Sequence, residues 1–156
     1  MADTKPLSKR MTTRILKRFG LQPDAPADLK TLHKLIHQYT RNIPWESASR
    51  IVRRTQTPQQ NQCALLGASF WDSALTYGTG GTCFESNYAF FSLLLRLGYH
   101  GYLTINNMGD VVGCHTAIII CLDDEKFIVD VGLPIFVPLP LRDHETVVIQ
   151  SDLFTY

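Results

Sequence analysis

Apolar residues recur with helical spacing in the middle of the chain. Phe84, Tyr88, Phe91 and Leu95 are separated by four, three and four positions, and Gly98 follows as a stop signal. This pattern predicts an amphipathic helix over residues 83–97.

The rest of the pattern divides the chain into a helical part and a β-rich part. Helices are predicted at 12–19 and 29–39, a short irregular or helical approach at 64–77 with Trp71 as a packing anchor, and a polar strand-and-loop linker at 50–61. Strands are predicted at 99–105, 116–122, 126–131 and 147–149, with a loop around Pro134, Pro138 and Pro140. The sequence therefore indicates an α+β fold, with a helical subdomain over residues 1–98 and an antiparallel β subdomain over residues 99–156.

Two of the predicted strands are joined by Asp123-Asp124, which suits a hairpin turn. With a two-residue loop, Ala117 faces Asp130 and His115 faces Gly132. Side chains alternate along a strand, so His115 and Asp130 then project from the same face as diagonal neighbours. A slip of one residue in the register would place them on opposite faces.

A thiol stands where the helix at 83–97 is predicted to begin. Thr82 and Glu85 have the spacing of a capping box, which makes Cys83 the first helical residue. The N-terminus of a helix favours an anion and so favours the thiolate form of a cysteine. Gly80-Gly81 allows a sharp turn just before it. Together with His115 and Asp130, Cys83 forms a candidate set of nucleophile, base and orienting acid.

Each of these three residues also has a structural interpretation. Buried cysteines are common and inert, a lone histidine beside a strand is often structural, and an aspartate before Val-Gly can cap a strand end. The 32 residues between Cys83 and His115 mean that only a fold can bring the two together.

Three ordered segments resemble the arylamine N-acetyltransferase family. Residues 41–47, Arg-Asn-Ile-Pro-Trp-Glu-Ser, are similar to its Ile-Pro-Phe-Glu-Asn segment. Residues 80–87, Gly-Gly-Thr-Cys-Phe-Glu-Ser-Asn, with 93–99, look like its nucleophile helix, Arg-Gly-Gly-x-Cys-Phe-Glu-x-Asn. Residues 113–115, Gly-Cys-His, and 129–132, Val-Asp-Val-Gly, are similar to its histidine strand and its Asp-Val-Gly-Phe-Gly segment.

The resemblance implies an acyltransferase of xenobiotic metabolism. Acetyl-CoA, a substrate and not a bound cofactor, acetylates Cys83 with the help of His115 and Asp130, and the acetyl group passes to an arylamine or hydrazine in a ping-pong cycle. It also implies a papain-like or transglutaminase-like arrangement, with the nucleophile on a helix, His and Asp on neighbouring strands, and a sheet that curls towards a partial barrel.

The chain departs from the family pattern at several positions. Thr79 stands where the family has Arg, so that Glu85 is left without that partner unless Arg41, Arg50 or Arg96 replaces it. The other departures are Trp45 for Phe, Ser47 for Asn and Leu133-Pro134 for the final Phe-Gly. Family members continue into a third, C-terminal domain, whereas this chain stops at Tyr156, which suggests a truncated product, a gene fragment or a minimal relative.

Composition agrees with a cytoplasmic enzyme that binds neither nucleic acid nor membrane. The net charge is +1, and residues 1–13 are polar, which is unlike a signal peptide or a transmembrane span. The four cysteines are expected to be reduced thiols, and no spacing typical of a zinc site is present. His33 and His37 are expected on a solvated helix face. Arg53-Arg54 is interpreted as solvated surface or as a pair that attracts the phosphates of coenzyme A.

Two further functions use the same residues. A Cys-His-Asp thiol hydrolase or transglutaminase-like enzyme needs the same three groups but passes the acyl group to water or to another acceptor. A non-catalytic remnant or binding module fits Thr79 and the short chain.

Overall fold

The computed structural model describes residues 7–57, 59–133, 135–150 and 154–156 of the chain. The polar stretch at residues 1–6 and Pro134, both used in the sequence analysis, lie outside the described residues. The helices are α1 Lys9–Arg18, α2 Leu29–Asn42, α3 Ala48–Gln56, α4 Gly67–Tyr77 and α5 Cys83–Arg96, with a 3₁₀ turn at Gln60–Gln62. The strands are β1 His100–Met108, β2 Val111–Leu122, β3 Glu125–Val129 and β4 Leu139–Leu141. The fold class is α+β, as predicted.

The helix starts follow from capping residues. The Asp28 side chain accepts a hydrogen bond from the Thr31 backbone N–H, and α2 begins at the next residue, as predicted. Ser8 does the same for Met11, so α1 begins three residues before its predicted start. Thr82 and Glu85 form the predicted capping box of α5.

The prediction of a strand-and-loop linker at residues 50–61 is wrong, because α3 and the 3₁₀ turn occupy it. None of the nine residues of α3 is buried, and its larger apolar residues, Ile51 and Val52, are adjacent and exposed, so the segment lacks the repeated apolar positions that predict a core-facing helix. Its inward contacts are polar instead: Arg50 and Arg53, one turn apart, both reach the carboxylate of Glu85. Ion pairing across the fold, which a local pattern does not show, accounts for the difference.

The four strands form one antiparallel sheet in the order β1-β2-β3-β4. The predicted two-residue turn joins β2 to β3, with Leu122 opposite Glu125 and Ile118 opposite Val129. Asp123 and Asp124 have φ values of 47° and 65°, the left-handed region that a type I′ hairpin turn requires. The register is therefore the one that the sequence predicts.

The predicted strand at 147–149 is wrong, since none of these three residues lies in a strand. Ile149 exchanges two backbone hydrogen bonds with Tyr156, next to an isolated bridge between Gln150 and Thr155. A strand forms instead at β4, where the prolines suggested only a loop. Pro140 lies opposite Phe127 in this last strand of the sheet. An edge strand tolerates proline because its outer side needs no backbone donor.

Helix α5 lies between the other helices and the sheet. On one side Trp71 is fully buried and donates a hydrogen bond from Nε1 to the backbone oxygen of Ala89, as its predicted anchoring role requires. On the other side the helix contacts β1 and β2. Ile118 and Ile120 of β2 have no exposed surface. No helix among the described residues is long and apolar enough to span a membrane. The packing fixes the N-terminus of α5 against the sheet.

Candidate active site

Cys83 opens α5 directly after a loop that is held against the segment between α2 and α3. Trp45 and Gly81 form an isolated parallel bridge, and the Glu46 N–H donates to the Gly81 oxygen at 3.3 Å. A Cβ atom on Gly80 would overlap the backbone oxygen of Pro44, so only glycine permits this close approach. The turn before Cys83 is thus fixed by backbone contact.

The structure brings Cys83 to the strands that carry the two other predicted residues. The thiol of Cys83 donates to the backbone oxygen of Cys114 at 3.9 Å, and Cys114 immediately precedes His115. A Cβ atom on Gly132 would lie 2.6 Å from the Cα of Cys83, which places the chain after Asp130 against the first turn of α5. Helix, histidine strand and aspartate segment therefore meet at one point.

His115 and Asp130 are hydrogen-bonded and almost completely buried. Nε2 of His115 lies 2.5 Å from Oδ2 of Asp130, and the two residues are 5% and 3% exposed. The shared face that the hairpin register predicts is therefore observed. Because Nε2 is occupied by the carboxylate, proton exchange with a third group falls to Nδ1 of the ring.

Asn87 holds the other oxygen of the aspartate. Its Nδ2 donates to Asp130 Oδ1 at 2.9 Å and to the Thr116 oxygen at 2.6 Å, and its Oδ1 accepts from the Val131 N–H at 3.0 Å. The Gly132 N–H also donates to Asp130 Oδ1, at 2.9 Å. Asn87 is fully buried. Asn87 is not among the predicted site residues, although its position one helical turn after Cys83 is a usable signal.

Glu85 has two arginine partners in place of the family arginine. It is 1% exposed and pairs with Arg50 at 3.4 Å and Arg53 at 3.1 Å. Of the three substitutes proposed from the sequence, Arg50 is therefore correct, and Arg53 is the one that was missed. Thr79 has a different partner, since its hydroxyl lies 2.7 Å from that of Ser73. Arg53 also donates to the Cys63 oxygen at 2.8 Å, so its interpretation as solvated surface is wrong, whereas Arg54 is exposed as that interpretation requires. Attraction of the coenzyme A phosphates by Arg53-Arg54 stays a prediction.

Glu46 links the start of α3 to the glycine loop. Its carboxylate accepts from the Ser49 N–H at 2.8 Å, from the Ser49 hydroxyl and from the Gly80 N–H at 2.9 Å. Burial alone would raise the pKa of Glu46, but the hydrogen bonds from Ser49 and Gly80 and the charge of Arg53 outweigh it and lower the pKa below its ordinary value. The charged carboxylate of Glu46 therefore stabilises the loop that contains Gly80 and Gly81.

An open pocket of about 360 Å³ lies next to the site. It adjoins Gly132, whose backbone touches Cys83, and its walls are mostly apolar. The lining residues are Thr40, Ile43, Trp45, Val131, Gly132, Leu133 and Phe136. A concave, mostly apolar surface of this kind suits a small aromatic molecule.

The cysteines and histidines outside this constellation form no second site in the part of the chain that is described. All four cysteines are unpaired thiols, and no three His, Cys, Asp or Glu side chains among the described residues lie together as a metal-binding group. His33 and His37 lie one turn apart on α2, where His33 is exposed.

Residues 28–155 match the model of a protein family described as N-acetyltransferase. No curated protein sequence gives a significant match. Solved structures of arylamine N-acetyltransferases share the fold. The enzyme of Salmonella typhimurium superposes with a TM-score of 0.73 at 21% identity, and that of Mycobacterium abscessus with 0.68 at 22%. A Bacillus cereus enzyme, whose structure is described as revealing a unique Cys-His-Glu catalytic triad, gives 0.68 at 18% identity.

These alignments cover most of this chain but only part of each solved structure. The shares are 90% of this chain and 52% of the Salmonella chain, 97% and 55% for Mycobacterium, and 100% and 59% for Bacillus. The chain thus spans between half and three fifths of the length of these structures. The part that they share contains the helix, the strands and the loops that surround Cys83.

Proposed function

Because this chain belongs to the N-acetyltransferase family, we propose that it transfers an acetyl group from acetyl-CoA to the nitrogen of an arylamine or hydrazine, with Cys83 as the nucleophile. The observation that carries the proposal is the position of the Cys83 thiol at the start of α5, beside the buried His115 and Asp130 pair. Acetyl-CoA is a substrate in this scheme, and no permanently bound cofactor takes part.

In the first half-reaction, Nδ1 of His115 accepts the proton of the Cys83 thiol. The thiolate attacks the carbonyl carbon of the acetyl group, a new S–C bond forms, and the S–C bond to coenzyme A breaks. The departing thiolate of coenzyme A takes the proton back from the imidazolium. Asp130 keeps the ring in one orientation and stabilises its charged form while the proton resides there.

In the second half-reaction, the amine nitrogen attacks the carbonyl carbon of the acetyl-cysteine. The N–C bond forms, the S–C bond to Cys83 breaks, and His115 transfers the surplus proton of the amine to the departing thiolate. Positioned proton transfer of this kind contributes about 10²–10⁴-fold in rate. The pocket beside Gly132 holds the aromatic ring of the acceptor, with Trp45 and Phe136 among its walls.

A thiol hydrolase is the second candidate, and one observation favours it. Trp45 in the pocket wall is 66% exposed, so the pocket is open to bulk water. Water that reaches the acetyl-cysteine would hydrolyse it. The unpaired state of the four cysteines fits a reducing compartment, and we propose the cytoplasm as the location for either activity.

The decisive experiment is incubation of the purified protein with acetyl-CoA, an acid quench and peptide mass spectrometry, with Cys83→Ala as the control. We expect an added acetyl group on Cys83 that an arylamine removes faster than water does. Equal loss with and without the amine would identify the hydrolase. A folded protein that gains no acetyl group on Cys83 would overturn both proposals and leave the non-catalytic interpretation.

A further inference from the structure

The carboxylate of Glu85 is buried two residues after Cys83 and is surrounded by donors. It accepts from the Leu65 N–H at 3.0 Å and from the Thr82 N–H at 3.4 Å, in addition to its two arginine partners. Arg50 also donates to the Thr82 hydroxyl at 3.1 Å. Arg50, Arg53 and Leu65 are therefore all hydrogen-bonded to the capping turn of α5, which is formed by Thr82 and Glu85.

The charges of this group balance only while both arginines are present. The guanidinium groups of Arg50 and Arg53 face the buried carboxylate of Glu85, and Arg53 also acts on the carboxylate of Glu46, so two positive charges balance two negative ones beside the first turn of α5. Arg53 is 20% exposed and Arg50 36% exposed, so the pairs are screened less by solvent than surface pairs are. A lone buried carboxylate at this position would oppose a second negative charge nearby, and the two guanidinium groups offset that repulsion.

Helix α3 is held against the fold by polar contacts and not by burial of apolar side chains. None of its residues is buried, and its apolar Ile51 and Val52 are 60% and 53% exposed. Its contacts are polar: Ser49 bonds to Glu46, and two guanidinium groups one turn apart on the same face reach Glu85.

We propose that Arg50 and Arg53 are positioning residues: they hold Glu85 in the capping turn and set the electrostatic potential at the Cys83 thiol. The inference rests on the proposed function only in taking Cys83 as the nucleophile. The charged and titratable groups near Cys83 are then Glu85 on its own helix, the arginines of α3, Glu46 beside the glycine loop, His115 on β2, and Asp130 after β3.

The test is the rate of alkylation of Cys83 by iodoacetamide as a function of pH, read by peptide mass spectrometry without any acetyl-CoA. Arg50→Gln removes a positive charge, and we expect its half-maximal pH to rise by about half a unit or more. Glu85→Gln removes the negative charge, and we expect a shift in the opposite direction. Arg53→Lys retains the charge and is expected to stay closer to the wild type than Arg53→Gln.

Arg96→Gln is the matched control, because Arg96 is an exposed arginine on the same helix. It lies 13 residues from Cys83, about 20 Å along the helix axis, which exceeds the Debye length of about 8 Å at physiological salt. We expect no shift. Protection of the buried Cys63 from alkylation checks that Arg50→Gln and Glu85→Gln remain folded. The Arg53 variants alter a hydrogen bond to Cys63 itself, so their fold is checked by thermal unfolding.

Opposite shifts for Arg50→Gln and Glu85→Gln, with Cys63 still protected, support the proposal. Shifts in the same direction, or no shift in folded variants, overturn it and assign the network a structural role alone. If Cys63 becomes exposed in Arg50→Gln, the test rests on Arg53→Lys and Arg53→Gln instead. An equal half-maximal pH of Cys83 alkylation in these two variants overturns the proposal. A higher half-maximal pH in Arg53→Gln supports it. The outcome is independent of acetyl transfer, so failure of the proposed function is seen separately.

Discussion

The two oxygens of the Asp130 carboxylate have different partners: Oδ1 is held by Nδ2 of Asn87 at 2.9 Å, and Oδ2 is bonded to Nε2 of His115. The same asparagine bonds to both strands of the hairpin, through the Thr116 oxygen and the Val131 N–H. Helix α5 therefore carries both the thiol and the group that orients the aspartate, one turn apart. Asn87 therefore links the helix that carries Cys83 to the segments that carry His115 and Asp130.

Replacement of Asn87 by alanine is expected to damage both stability and rate. Buried partners left without a hydrogen bond cost about 1–3 kcal/mol, and a misplaced Asp130 is expected to slow acetylation of Cys83 about 100-fold. Urea denaturation and single-turnover kinetics measure the two effects. Asn107→Ala is the control, because Asn107 accepts one bond from the Gly113 N–H at an exposed site. An unchanged acetylation rate in Asn87→Ala would contradict the role assigned to it.

Gly132 is expected to tolerate no side chain. A Cβ atom there would lie 2.8 Å from the Cβ of Cys83 and 2.9 Å from Nδ2 of Asn87, so Gly132→Ala displaces the thiol and costs about 1–3 kcal/mol in unfolding free energy. Gly20→Ala is the comparison, since it meets nothing within 4 Å and has only the strain of its φ of 67°. We expect Gly132→Ala to lose acetylation of Cys83 and Gly20→Ala to retain it. Normal acetylation in folded Gly132→Ala would show that the contact is relieved elsewhere.

Trp45 is expected to contribute to acceptor binding. An aromatic contact between it and the ring of the amine is worth about 0.5–1.5 kcal/mol, so Trp45→Ala should raise KM for an arylamine by up to about tenfold. Steady-state kinetics with an aromatic amine and with a small aliphatic hydrazine measure the effect, which should be larger for the aromatic acceptor. Tyr77→Ala provides the control, because Tyr77 is 78% exposed and lies outside the pocket. Equal increases in KM for both acceptors would mean that the aromatic ring of the amine does not contact Trp45.

The lowered pKa of Glu46 gives the fold a defined dependence on acid. Its ordinary value is 4.5, so the stabilisation is complete above that pH and is lost as the pH falls through the lower value of the folded state. The difference in Tm between the wild type and Glu46→Gln should therefore be largest near neutral pH and shrink below about pH 4.5. Thermal unfolding from pH 3 to pH 7 measures it, with the exposed Glu145→Gln as control. A difference that does not vary with pH would mean that Glu46 acts by shape and not by charge.

Local signals were sufficient wherever a capping residue or a turn fixed the structure. The start of α2 after Asp28, the start of α5 at Cys83 and the register of the β2–β3 hairpin all follow from side chains within a few positions. The contact between His115 and Asp130 follows from that register alone. Their catalytic roles, and the division into subdomains at residue 98, remain predictions.

The features that the sequence did not predict have a different cause. Helix α3, strand β4 and the role of Asn87 each depend on a partner that is distant in sequence. Helix α3 is held by Glu85, which lies 35 residues after Arg50, and β4 exists because β3 offers it an edge. Asn87 reaches Asp130 over 43 residues. Neither apolar periodicity nor turn residues encode such contacts, so a single sequence shows the polar residues without showing what they bind.

The turn at Asp123 and Asp124 has a consequence for changes in chain length. Exposed turns usually accept insertions with little effect on a protein. Here one added residue that displaced the β2–β3 pairing by a single position would turn Asp130 away from His115, although the turn itself contributes no group to the site. The number of residues in this turn, more than their identity, is therefore a requirement of the candidate active site.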